Sequence, residues 1–193
     1  MNGMRASGIV IVGGVCLLLS AAMNVALAVR MSALRDRIET GGGERQEMVG
    51  RRMEALVGTS PVGDPVRMEF GGDGRPAVLY VFAPGCGWCD RNYEAVIALH
   101  TAAAGRYRFV GLSLEDEGLP EYLTSHPLPF EVVTGVDREV IEGYKLARTP
   151  RTLVIDSDGA IESNFVGAWT GSNGRGVEAA FGVELPELEG SWR

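Results

Sequence analysis

Ala77-Val78-Leu79-Tyr80-Val81-Phe82-Ala83-Pro84-Gly85-Cys86-Gly87-Trp88-Cys89-Asp90-Arg91-Asn92 is the stretch whose reading decides the fold. Seven apolar or aromatic residues end at Pro84-Gly85, and a helix-like pattern follows that opens on two cysteines, so the reading is strand, turn, Cys-x-x-Cys, helix. The first turn of a helix presents unpaired backbone N–H groups and the positive pole of the peptide dipoles. Cys86 would sit there, where a thiolate is favoured over a thiol and becomes a nucleophile near neutral pH. Cys89 lies one helical turn inward, spaced to attack a mixed disulfide on Cys86 and release the partner. A zinc site needs a second ligand pair, and neither the remote Cys16 nor His100 and His126 supply it at usual spacing. A purely structural disulfide would seldom be placed at a strand-to-helix turn behind Pro-Gly.

Downstream, the helix over about Cys86–Ala104 has an inward stripe of Cys89, Tyr93, Val96, Ile97 and His100, the histidine being read as a partly buried helix residue. Ala77–Ala83 is apolar on both faces, as a central strand covered by helices would be. Tyr107–Leu114 reads as a second strand of the same type, Pro120–Ser125 as a short helix and Phe130–Val133 as a third strand. Asp137 caps a helix over Arg138–Leu146. Arg148-Thr149-Pro150-Arg151 then leads a strand with a proline, which fits an edge position or a cis peptide. Asp156-Ser157-Asp158-Gly159 turns a hairpin between Thr152–Ile155 and Ala160–Phe165. Beyond Gly167 the chain is glycine-rich, with one short helix near Val177–Phe181 and a loose tail over 183–193.

Upstream, Ser60-Pro61-Val62-Gly63-Asp64-Pro65 marks the domain boundary and Val66–Phe70 alternates as an edge strand. Residues 30–57 read as a helical spacer broken at Gly41-Gly42-Gly43, with too few turns for a coiled coil. No charged side chain occurs between Arg5 and Arg30, and about Gly8–Val29 is long and apolar enough to span a bilayer. A cleaved signal peptide competes, since Ala26-Leu27-Ala28 has the small-x-small form, but the apolar run exceeds the usual signal core, so a retained anchor is favoured. The organisation expected is therefore an anchor over 1–29, a spacer over 30–57, a domain over 58–182 and the tail. With 18 Lys and Arg against 25 Asp and Glu, net charge −7, there is no basic footprint for nucleic acid.

Residues 58–167 resemble the thioredoxin-like fold, and in particular its membrane-tethered TlpA/ResA-like branch. The signal-like N-terminal segment, Gly58-x-x-Pro61, Phe82-Ala83-x-x-Cys86-x-x-Cys89, Thr149-Pro150 and Thr152-Leu153-Val154-Ile155-Asp156-Ser157-Asp158-Gly159 carry the resemblance. It implies an α/β fold with a central mixed sheet flanked by helices, preceded by one transmembrane helix. It implies Cys86 as attacking thiol, Cys89 as resolving thiol, and a redox disulfide between them. It also implies a cis Pro150 facing the pair and Thr149 pairing its backbone with the client chain. Such proteins work outside the cytoplasmic membrane, held by a single pass on its periplasmic or extracytoplasmic side. They reduce disulfides in client proteins, as in cytochrome c maturation, and are re-reduced by a membrane thiol electron donor; no cofactor or metal is implied. Positive charge counted around the anchor, with Arg30, Arg35 and Arg37 after it, points the other way, and the outside placement rests on the resemblance.

The sequence departs from the family pattern in three places. Gly85 precedes Cys86 where a tryptophan is common, and the aromatic residue stands inside the motif as Trp88, a candidate docking surface for clients. Tyr80 occupies the place of a buried acid, and Asn92 the place of a glutamate found in many ResA-like reductases. Gly87-Trp88 also resembles the dipeptides of disulfide isomerases. Isomerase or oxidase activity, and Cu(I) handling by the two thiols, stand as alternatives to reduction.

Overall fold

The central strand is β3 (Ala77–Phe82), every residue of which is buried. A strand apolar on both faces needs a neighbour on each edge and a cover on each side. In the computed structural model, which describes residues 20, 21, 23–31, 47–72 and 74–186, β3 pairs in parallel with β4 (Arg108–Ser113) and antiparallel with β6 (Arg151–Ile155). Outside these lie β5 (Glu131–Val133), parallel to β4, and β7 (Ile161–Val166), antiparallel to β6, giving the order β5-β4-β3-β6-β7. The side chains of β3 alternate between two cores. Val78, Tyr80 and Phe82 pack with helix α2 (Gly87–Ala103), α3 (Leu119–Ser125) and α5 (Gly171–Phe181). Ala77, Leu79 and Val81 face Met48, Met53, Leu56, Tyr144 and Leu146, with Val140 and Ile141 of α4 (Arg138–Gly143) at the margin. This is the α/β thioredoxin-like architecture with a mixed sheet between helical layers.

Several expectations are corrected. Residues 47–57 are part of this fold, because their apolar side chains cover one face of the sheet and their backbone is tied to it. Met48, Met53 and Leu56 are buried, Gly50 and Met53 donate to the carbonyls of Ile161 and Gly159 at 2.8 Å each, and the Tyr144 hydroxyl donates to Arg52 O and accepts from Glu54 N. The spacer read over 30–57 thus ends before these residues; positions 32–46 lie outside the described ones. Val66–Phe70 does not edge the main sheet. Instead β2 (Pro65–Met68) pairs only with β1 (Leu56–Thr59) in a separate two-stranded sheet. Thr59 and Thr134 exchange backbone hydrogen bonds at 2.8 and 2.9 Å and join the two sheets. Gly58 sits at that junction, where a Cβ would come within 2.1 Å of Thr134 O.

The buried stripe of α2 is Cys89, Asn92, Ala95, Val96, Leu99 and Ala103, rotated from the expected one. Tyr93, Ile97 and His100 lie half-buried on its flank. Asn92, the polar member of this stripe, is tied into the core by a hydrogen bond from Trp169 N. His100 meets the Phe109 ring edge-on at 5.0 Å and the Phe130 ring at 5.5 Å, and burial lowers its pKa. The strand after Pro150 is internal, not an edge. The last helix is longer than expected, since it begins at Gly171 and runs through Gly174 and Gly176, residues that weaken any helical signal. Nor is the tail wholly loose. Val183 and Leu185 pack against the core and Leu185 N donates to the Glu178 carboxylate at 3.0 Å, while 187–193 lie outside the described residues.

The chain divides into two units, Met1–Gly43 and Glu44–Arg193. In the first, residues 23–31 form a helix, α1, whose Met23, Val25, Leu27, Val29 and Met31 are exposed. Among the described residues no helix is long and apolar enough to cross a membrane; most of the stretch read as an anchor, 8–29, lies outside them.

Candidate active site

β3 ends at Phe82, and the chain must turn sharply to start α2, which packs over one face of the sheet. Gly85 makes the turn with φ of +76°, a left-handed conformation that a side chain as large as tryptophan disfavours. This accounts for the glycine ahead of Cys86. Cys86 is the N-cap of α2: its backbone is extended (φ −79°, ψ 95°) and its Sγ accepts a hydrogen bond from Cys89 N at 3.2 Å. A sulfur in the place normally held by a Ser or Asp oxygen receives the amide that would stabilise a thiolate.

Cys86 and Cys89 form a disulfide with a Cα–Cα distance of 5.2 Å. Their exposures differ in the way exchange requires. Cys86 is partly open, whereas Cys89 is completely buried, so an incoming disulfide reaches Cys86 first. Thr149 comes to the same sulfur from the other side of the chain, its hydroxyl donating to Cys86 Sγ at 3.4 Å. The Thr149–Pro150 peptide is cis, and Pro150 is buried while Thr149 stays partly open. Trp88 is 47% exposed, one ring face covered by the Arg91 guanidinium 4.8 Å from its centroid. The structure thus brings Cys86, Cys89 and Thr149 together, with Pro150 directly behind and Trp88 on the first turn of α2. Among the described residues no cluster of three or more His, Cys, Asp or Glu could hold a metal ion.

Behind the disulfide lies a polar group set into the core. Asn92 is fully buried and its Oδ1 accepts from Trp169 N at 2.9 Å; Trp169 Nε1 donates to Thr152 Oγ1 at 3.2 Å. Thr152 is the register partner of Tyr80 across β3 and β6, so both side chains share the α2 face of the sheet. The Tyr80 ring meets Trp169 edge-on at 6.3 Å and stacks on Phe82 at 5.9 Å. Burial pushes the Tyr80 phenol far above its ordinary pKa, with Tyr122 and Asp90 adding to the effect and the Asn92 amide opposing it. Trp169 was not a candidate in the sequence, where it sits alone in a glycine-rich segment; a lone buried-type aromatic there was the available signal.

The AhpC/TSA family matches residues 49–164, more than half of the chain and all of the sheet up to β7. The chain belongs to the AhpC/TSA family. No curated protein matches it, but solved structures share its fold. The thioredoxin domain of a thiol-disulfide oxidoreductase from Bacteroides vulgatus is 18% identical, with a TM-score of 0.57, covering 69% of this chain and 97% of that one. A protein from Chlorobium tepidum assigned as the thiol:disulfide interchange protein DsbE is 18% identical, with a TM-score of 0.58, covering 68% and 93%. A thiol:disulfide interchange protein from a Bacteroides species is also 18% identical, with a TM-score of 0.56, covering 74% and 94%. At this identity the likeness speaks for the fold. Taken with the family and the Cys86–Cys89 pair at a helix start, it makes this AhpC/TSA protein a thiol-disulfide oxidoreductase of the thioredoxin-like type.

Proposed function

We propose that the protein reduces disulfides in client proteins from its dithiol form, on the extracytoplasmic side of a membrane to which the segment about Gly8–Val29 anchors it. The observation that carries the chemistry is the asymmetry of the pair: Cys86 is capped by the Cys89 amide and partly open, while Cys89 is buried. Gly87-Trp88 places no charge between the sulfurs, so thiolate stabilisation comes from the helix end and the Thr149 hydroxyl and stays moderate. A moderately stabilised thiolate gives a pair that donates electrons, not one that forces disulfides into others. Thr149 stands where a client strand can lie along the chain ahead of β6, and Trp88 offers an apolar ring beside Cys86. In an oxidising compartment the cycle needs a membrane thiol electron donor. The resemblance to TlpA/ResA-like proteins favours clients of the kind found in cytochrome c maturation.

Two assays test this reading. With dithiothreitol as reductant, the protein is expected to accelerate reduction of the interchain disulfides of insulin; no acceleration would remove the reductase reading. A reporter active only in the cytoplasm, fused after Gly43, is expected to be silent, and an active one would mean that Arg30, Arg35 and Arg37 obey the positive-inside count and place the domain within.

A further inference from the structure

One donor sits in the core without an acceptor. Tyr80 is 3% exposed and its hydroxyl meets no acceptor among the described residues, while the amide of the fully buried Asn92 faces its oxygen. Leaving such groups unmade is costly, so buried polar atoms of this kind point to a partner present in another state of the protein. Asn92 lies one helical turn from Cys89 on the same buried stripe of α2. Tyr80 points from β3 into the cluster that contains Cys89. Asn92 cannot turn its amide over without giving up the bond from Trp169 N, so the amide group that acts on the Tyr80 oxygen keeps its orientation. When the disulfide opens, Cys89 changes from a weak acceptor to a group that must pass through a thiolate. Formed at a buried position, that thiolate is disfavoured unless a donor meets it.

We propose, resting on the exchange reading above, that the Tyr80 hydroxyl, steadied by Asn92, is the donor that meets Cys89 Sγ during resolution. Tyr80 is here a positioning residue, and its own proton stays on the phenol throughout, as burial requires. The cycle balances without it changing state. Cys86 thiolate attacks the client disulfide, and the departing client thiolate takes a proton from solvent. Cys89 then gives its proton to solvent, its thiolate attacks Cys86 Sγ, the Cys86–Cys89 bond forms, and the second client sulfur leaves and is protonated. The client gains two electrons and two protons: both electrons come from the pair, one proton is matched by the one Cys89 releases to solvent, and the other by the one Cys86 released on becoming a thiolate. The other ionisable groups facing Tyr80 are Asp90 on α2 and Tyr122 on α3, and neither is altered by the test.

Tyr80→Phe keeps the ring and its contacts with Phe82 and Trp169. Using oxidised glutathione as the probe, the mixed disulfide forms on Cys86 and is then resolved by Cys89. The resolution step is expected to slow about tenfold near pH 7, and its pH midpoint to move upward by about one unit, the size of one hydrogen bond to a charged group. The first step, measured in a Cys89→Ser background with and without Tyr80→Phe, is expected to be unchanged. Resolution at the wild-type rate overturns the inference, and so does slowing of both steps by one factor at every pH, which a loosened core would produce. If the wild-type protein itself fails to resolve the mixed disulfide, the exchange reading falls and takes this one with it.

Discussion

Replacing Cys86 by Ser is expected to reduce disulfide exchange to its uncatalysed rate, whereas Cys89→Ser is expected to keep the first chemical step and stop there, as a mixed disulfide with the client. The two outcomes follow from the same geometry. Only Cys86 combines solvent access with an amide aimed at its sulfur and a hydroxyl beside it; a serine oxygen at this place keeps the cap but is not a sulfur nucleophile. Cys89 has no exposed surface, so it acts only on a disulfide already held on its neighbour. The check is mass spectrometry of protein incubated with an excess of oxidised glutathione. An adduct at Cys86 of Cys89→Ser and none at Cys89 of Cys86→Ser are expected, and adducts on Cys89 in the Cys86→Ser protein would reverse the assignment. With real clients, the adduct of Cys89→Ser also identifies what is being reduced.

Phe82→Ala is expected to remove about 3–5 kcal/mol of stability, the usual cost of cutting a buried phenylalanine to alanine. That is a large share of the roughly 5–15 kcal/mol that holds a domain together. Phe82 is completely buried. It stacks on Tyr80 at 5.9 Å and on Tyr122 at 5.4 Å, and is the last strand residue before the turn to Cys86. Urea unfolding of the wild type and the variant, compared at equal slope, measures the difference. A change below about 1 kcal/mol would mean that neighbours refill the site and that the link between strand and active-site turn is looser than these contacts imply.

The strands and the redox pair were legible because their signals are local. Ala77–Phe82 announces a two-sided strand, Pro84-Gly85 a turn, and Cys86 with Cys89 a helix start; β4, β5 and the β6–β7 hairpin follow with ends shifted by a residue or two. What was not legible depends on tertiary partners. Asn92 is buried because Trp169 N, seventy-seven positions away, binds its side chain, and no periodicity shows that. Met48, Met53 and Leu56 fit a helical spacer as well as a covering segment until the backbone ties to Gly159 and Ile161 decide it. Gly171–Phe181 is a helix despite three glycines within its span, because Val177 and Phe181 gain burial against the sheet. Pro150 was open between an edge position and a cis peptide, and the pairing of β6 on both sides excludes the edge. The arrangement of Thr149 beside Cys86 came from family resemblance, since sixty-three residues of chain separate them.

The central claim is that the Cys86–Cys89 pair works as a source of electrons, and its reduction potential is the most direct test. Equilibrating the purified protein with glutathione buffers of graded ratio, and counting free thiols at each, gives the value. With a helix end and a single hydroxyl stabilising Cys86, and no charge within Gly87-Trp88, the account predicts a potential nearer that of thioredoxin, about −270 mV, than that of a disulfide-introducing oxidase. A value near −120 mV would contradict it and leave an oxidase in its place.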